Sequence, residues 1–209
     1  MKKIFLLLLL LPVVVTTNSA QQFSRDFWHN GEIDMRSGET VKGRIKYNLE
    51  ANSLLVQLEN GSMRTYNPRS VEAWQILDAQ SGEDRIFYSL NFAEDGSKTG
   101  RAVFFELLTD GESLILFTRR KVETEIDNVY DPFWVGGRAI SVQVERENYY
   151  LLDRRGNMAA IDNNARDFLK LANMDDEQVK EYIKRNRLRL EFREDMTNLI
   201  NYYNAVISQ

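Results

Sequence analysis

From Trp28 to about Ile161 the apolar residues recur with a two-residue rhythm. Val41, Ile45 and Tyr47 share one face with Gly43, while Lys42, Arg44 and Lys46 occupy the other, as in a half-solvated strand. Ile86, Tyr88, Leu90 and Phe92 repeat the pattern, as do Ile140, Val142 and Val144 against Ser141, Gln143 and Glu145. The runs Leu54 to Leu58, Val103 to Leu108 and Leu114 to Phe117 are more continuously apolar, which suits strands covered on both sides. Turn pairs punctuate the segment: Asn30-Gly31, Ser37-Gly38, Asn60-Gly61, Ser81-Gly82, Asp95-Gly96, Asp110-Gly111, Gly136-Gly137 and Arg155-Gly156. Glycine reaches the positive φ angles of tight hairpins, and Asn and Asp tolerate them. The pattern predicts about nine to ten antiparallel strands joined mostly by hairpins, in a sandwich, roll or barrel.

After Ile161 the period becomes helical. Asn163 or Asn164 caps a first stripe of Ala165, Phe168, Leu169 and Ala172. Asp175, three residues before Gln178, opens a second helix that buries Val179, Tyr182 and Ile183 and ends in Lys184, Arg185 and Arg187, cations that complement the carboxyl end of the dipole. A third begins at Glu194 and Asp195 and carries Met196, Leu199, Ile200, Tyr203, Val206 and Ile207 at helical spacing. Short helices of this kind are marginal alone and need a surface to pack on. The expected fold is therefore α+β: an antiparallel β domain over residues 21–162 with three short helices, residues 163–209, docked on it. No Pro, Gly or Ser-rich linker separates the two parts.

Residues 1–20 have the layout of a secretory signal: Lys2 and Lys3, the apolar run Ile4 to Val15, then a short polar stretch closing on Ala20. The apolar run is too short to cross a hydrocarbon core of about 30 Å as a helix. The expectation is cleavage near Ala20 and an extracytoplasmic protein, periplasmic, surface-bound or secreted, with no transmembrane segment in the mature chain.

Composition narrows the chemistry. The 209-residue chain has no cysteine, which removes disulfides, thiol nucleophiles, thiolate zinc sites and iron–sulfur clusters, so the fold is held by packing and backbone pairing alone. A single histidine, His29, leaves little for a catalytic triad or a multi-histidine metal centre. The net charge of −4 becomes more negative once Lys2 and Lys3 are removed, which argues against nucleic acid as a partner.

The segment containing Trp28, Gly31, Ile33, Gly38, Val41, Gly43, Ile45 and Tyr47, together with Tyr202-Tyr203-Asn204 near the end, resembles small exported β-rich proteins, without an assigned activity, that recur in Bacteroidetes-type bacteria. The resemblance implies a cell-envelope or secreted setting and transfers no catalytic or binding residue.

Each candidate site has a plainer alternative. Gly96-Ser97-Lys98-Thr99-Gly100 contains Lys-Thr-Gly but lacks the Ser-x-x-Lys partner of a penicillin-binding signature and the following helix of a phosphate loop, so it reads as a hairpin loop. His29 reads as a surface or packing residue. Glu123, Glu125, Asp127 and Asp131 lack the spacing of a calcium loop and read as a solvated acidic segment. Arg119-Arg120-Lys121 and the stretch Lys184 to Arg193 read as local basic patches. Trp74, within a strand, reads as core. The Asp131-Pro132-Phe133-Trp134 loop followed by Gly136-Gly137-Arg138 is the first place to look for recognition, so Trp134, Phe133 and Arg138, with Trp28, are the candidate binding residues. No catalytic residue, cofactor or metal is expected. The leading expectation is a non-enzymatic exported envelope protein that binds or supports an unknown envelope protein or glycan. The alternatives are a carboxylate-dependent glycan hydrolase and a carbohydrate-binding module that uses surface tryptophans.

Overall fold

A computed structural model describes residues 27–93, 99–129, 138–161 and 177–207. The signal-like segment, the loop holding Phe133 and Trp134, and the first of the three expected helices lie outside these residues. Ten strands form one antiparallel sheet: β1 (His29–Met35), β2 (Thr40–Asn48), β3 (Ser53–Leu58), β4 (Met63–Tyr66), β5 (Val71–Leu77), β6 (Asp84–Phe92), β7 (Arg101–Thr109), β8 (Leu114–Val129), β9 (Arg138–Asp153) and β10 (Met158–Ile161). Two helices follow among the described residues, α1 (Glu177–Asn186) and α2 (Arg193–Ile207), and match the second and third helical stripes of the sequence.

The strand order is β10-β9-β8-β7-β6-β5-β1-β2-β3-β4. It has two ends, so hydrogen bonding does not close the sheet into a barrel. The sheet is nevertheless curled. Strand β4 is separated from β5 by three strands, which in a flat sheet would put them about 19 Å apart. The connection between them is a compact turn, in which Ser70 N and Val71 N both donate to Asn67 O, at 3.1 and 3.3 Å. Only a sheet bent back on itself lets so tight a turn join those strands.

Two glycines permit the bend. Gly31 and Gly43 face each other in the β1–β2 ladder. A Cβ on Gly31 would lie 2.2 Å from the Gln75 carbonyl oxygen, and one on Gly43 would lie 2.4 Å from that of Gln57. Asn30-Gly31, expected as a turn, is thus inside β1, where the missing side chain allows a close backbone approach. Among the described residues, Gly38, Gly61, Gly82 and Gly156 sit in turns at positive φ.

The curl encloses the first core, where Tyr47 of β2 meets Trp74 of β5 and Phe104 of β7 edge-on, with ring centroids 5.4 and 5.9 Å apart, and Trp74 stacks on Phe87. A second core lies farther along the same face: Leu114 and Leu116 of β8 and Tyr149 and Leu151 of β9 pack against Val179 of α1 and Met196, Leu199, Ile200 and Tyr203 of α2. The opposite face carries a third cluster built on Val103, Phe105, Phe117 and Tyr150. Strand β7 is therefore covered on both sides, as its continuous apolar run implies.

Strand β6 departs from its sequence pattern. Ile86, Tyr88, Leu90 and Phe92 point to the partly covered face, and the buried face presents Arg85, Phe87 and Ser89. Charged side chains occupy core positions there because a network of ion pairs receives them.

Candidate functional site

Among the described residues, a network of buried ionisable side chains lies between the first two cores. Alternation places Arg85 (β6), Glu106 (β7), Thr118 and Arg120 (β8) and Glu147 (β9) on the same face of the sheet, and α2 lays Arg193 over them. Arg85 Nε donates to Asp78 Oδ2 and its Nη1 to Glu106 Oε1, each at 3.0 Å. Arg193 bonds both Glu106 oxygens and donates to Glu147 Oε1 at 3.0 Å. The Thr118 hydroxyl donates to Glu147 at 3.1 Å. At the near end His29 is buried, and its Nδ1 accepts the Ala79 N–H at 3.1 Å.

Burial would push the Glu106 carboxyl up, but the hydrogen bond and charge of Arg193, with the charges of Arg85 and Arg120, outweigh it and hold the group below the usual carboxylate range. Asp78 is likewise held low: burial opposes ionisation, but the Gln80 N–H and Arg85 overcome it. Burial pushes Arg120 down, opposed by Glu106 and Glu147. The Tyr47 and Tyr149 hydroxyls are raised above their ordinary value by burial, so both stay protonated. Beside the network lies a cavity of about 10 Å3 lined by Tyr47, Phe87, Phe104, Glu106, Thr118 and Arg120, among others. That is room for about one water.

A general acid needs a carboxyl raised toward neutrality and access to substrate. Glu106 has its pKa lowered, both oxygens engaged and only that small cavity beside it. The arrangement suits fastening α2 to the sheet.

The candidate binding residues fare unevenly. Trp28 is half-buried, with the Arg44 guanidinium carbon 6.0 Å from its ring centroid. Arg138 opens β9 opposite Val129 in the ladder. Phe133 and Trp134 lie outside the described residues. Trp74 is core, 1 % exposed. Glu123 and Glu125 lie on β8 within a salt-bridged ladder, both paired with Arg146 of β9; Asp131 lies outside the described residues. Among the described residues no cluster of three or more His, Asp or Glu side chains is arranged to hold a metal, and no helix is long and apolar enough to cross a membrane.

The basic patch expected at Arg119-Arg120 is corrected: both side chains are buried in β8, 9 and 8 % exposed, and Arg120 stands on the face of the network beside the charges of Glu106 and Glu147. Arg193, at the end of the other basic stretch, is an internal counter-ion rather than part of a solvated patch. The network itself escaped the sequence reading. Its signal was charged residues two positions from large aromatics, Arg85 before Phe87 and Glu106 after Phe104.

No protein-family model matches this chain, and neither a curated protein nor a solved structure matches it.

Proposed function

We propose that this is an exported cell-envelope protein with a non-enzymatic role, binding or supporting an envelope component, in keeping with the exported β-rich proteins it resembles. One observation carries the reading: the buried ionisable network among the described residues is closed on itself, with Glu106 held ionised by Arg85 and Arg193 beside space for about one water. A hydrolytic carboxylate pair would instead face an open cleft with one member raised in pKa. In this reading the curled sheet is a roll, which the contact of Tyr47 with Phe104 supports. The signal-like residues 1–20 supply the extracytoplasmic address.

The test is fractionation of cells expressing the tagged chain, with intact-mass analysis and incubation of the purified product with envelope glycans and peptides. The expected result is an extracytoplasmic species beginning near Gln21 that releases no product. A cytoplasmic or membrane-retained full-length species overturns the export reading. Turnover abolished by a single Asp or Glu substitution overturns the non-enzymatic one.

A further inference from the structure

We propose that two copies of this chain pair through the outer half of β9, edge to edge and antiparallel, about a two-fold axis at Gln143. This goes beyond the binding role above and uses a surface separate from the buried network.

Strands β8 and β9 outrun their neighbours. Strand β7 pairs with β8 only from Leu116 to Thr118, and β10 pairs with β9 only from Tyr149 to Leu152. The ladder between β8 and β9 continues in register from Arg119 opposite Asn148 to Val129 opposite Arg138. Beyond its buried root at Arg119 and Arg120, this is a two-stranded ribbon whose edges have no strand partner among the described residues. Such a ribbon is marginal alone in water, and each free edge presents backbone donors and acceptors to any strand that fits.

The two edges are guarded differently. Along β8, Lys121, Glu123, Glu125 and Asp127 place a charge at every second position, a pattern that discourages an added strand. Along β9, Ala139 to Val144 contains no charge, glycine or proline, and Ile140, Val142 and Val144 are β-branched and only half-buried. The edge left open is that of β9.

That edge is complementary to itself. Pairing about Gln143 sets Val142 opposite Val144 of the second copy, Ile140 opposite Arg146 and Ser141 opposite Glu145, so like charges never meet. An axis at Val142 would instead bring Arg138 opposite Arg146. Ion pairing favours the same register. Arg146 is paired with Glu123, at 3.3 Å, and with Glu125, whereas Asp127 is exposed and forms no ion pair among the described residues. Asp127 lies beside Ile140 in its own ladder. Pairing about Gln143 therefore carries Arg146 into the row that ends in Asp127 of the second copy, and the basic root of each ribbon lies beside the acidic outer end of the other. An axis at Val144 would bring Arg146 to the row of Glu125, whose ion pair is already made.

The chain has no cysteine, so one introduced thiol reports one position. Gln143→Cys places a cysteine opposite its own copy at a Cα spacing of about 5 Å, within reach of a disulfide. Thr124→Cys is the control. Thr124 is also exposed and lies directly across the ladder from Gln143, but its two copies stand three strand spacings apart, about 14 Å, too far to join. The unaltered chain should sediment as a concentration-dependent dimer at up to about 0.1 mM, well above a micromolar dissociation constant. Oxidation with copper phenanthroline should join most of the Gln143→Cys chains and leave Thr124→Cys monomeric on a non-reducing gel. Val142→Lys, which buries an ammonium against Val144, and Asp127→Lys, which brings a cation beside Arg146, should each weaken the dimer at least about tenfold. Circular dichroism matching the unaltered chain shows that each variant is folded. A chain that stays monomeric over this range, equal crosslinking at both cysteines, crosslinking at Thr124→Cys alone, or a dimer indifferent to Val142→Lys each overturns the proposal.

Discussion

Asn204 of α2 grips Leu114 of β8 by both backbone groups: its Oδ1 accepts the Leu114 N–H at 2.9 Å and its Nδ2 donates to the Leu114 carbonyl at 2.9 Å. The side chain thereby acts as one rung of an extra strand at the start of β8. Gly111, in the β7–β8 hairpin, makes the space, since a Cβ there would lie 1.9 Å from Asn204 Nδ2. One turn earlier in α2, Asn201 bonds the Thr109 hydroxyl, so two amides pin the helix to the same hairpin.

Replacing Asn204 by Leu should cost about 1–3 kcal/mol, because it strips both partners from Leu114. Gly111→Ala should cost a similar amount by pushing Asn204 out of place. Chemical denaturation of both single variants and the double variant gives the coupling. The two losses should be clearly less than additive, since each breaks the same contact.

Glu106→Gln leaves Arg85 and Arg193 without their shared counter-ion and should destabilise the protein by about 3–5 kcal/mol, measured by denaturation at neutral pH. Glu106→Asp, which keeps the charge, should recover part of the loss.

The same carboxylate sets an acid limit. Glu106 and Asp78 are both held below their ordinary values, so the unfolded chain binds more protons as pH falls. Their contribution is complete above about pH 4.5, the unfolded carboxylate range, and is lost progressively as the pH drops toward the lowered folded values. The melting temperature should therefore fall below about pH 4.5, and the fall should be shallower in Glu106→Gln.

Tyr203 is 8 % exposed within the core beneath α2. Tyr203→Asp places a charge against Leu114 and Tyr149 and should lower stability by at least about 3 kcal/mol, read as a drop in melting temperature. Tyr202, next in sequence, stacks on Tyr182 of α1 at a centroid distance of 3.8 Å, so Tyr202→Ala should free α1 first. Hydrogen exchange at Val179 and Ile183 would rise ahead of that in the sheet.

Gly43→Ala should destabilise by about 1–3 kcal/mol, because the added methyl meets the rigid Gln57 carbonyl rather than a movable side chain. Gly38→Asn, at a turn with open space around it and φ of +87°, should cost less than about 1 kcal/mol. Thermal melts of the two variants distinguish a glycine kept for its close approach from one kept for its turn.

Strand β2 was legible because its burial is one-sided: Val41, Ile45 and Tyr47 alternate with polar or half-exposed neighbours, and the periodicity reports it directly, whereas the continuous apolar run of β3, expected to be covered on both sides, buries Leu54 and Val56 and leaves Leu55 half-exposed. The helical stripes of α1 and α2 were legible for the same reason. Strand β6 was not, because its buried face spans a seam between two cores where Arg85 and Ser89 are satisfied by partners far away in sequence. A rule that seats apolar residues inside selects the wrong face there. The curl also lay beyond reach, since Asn30-Gly31 has the same letters whether glycine serves a turn or a bend. As for the candidate binding residues, Trp28 could be named from its residue type, but its neighbour Arg44 comes to it through pairing between strands, which local sequence does not specify.

Arg193 has a consequence for the order of assembly. The strands that hold Arg85, Glu106 and Glu147 precede it by a long stretch of chain, and a polypeptide delivered from its amino end presents that seam before the closing cation arrives. Until then the two carboxylates have no ligand from above, and water can reach them. Helix α2 is thus the keystone of the seam: tertiary order there becomes complete only once α2 has followed the strands.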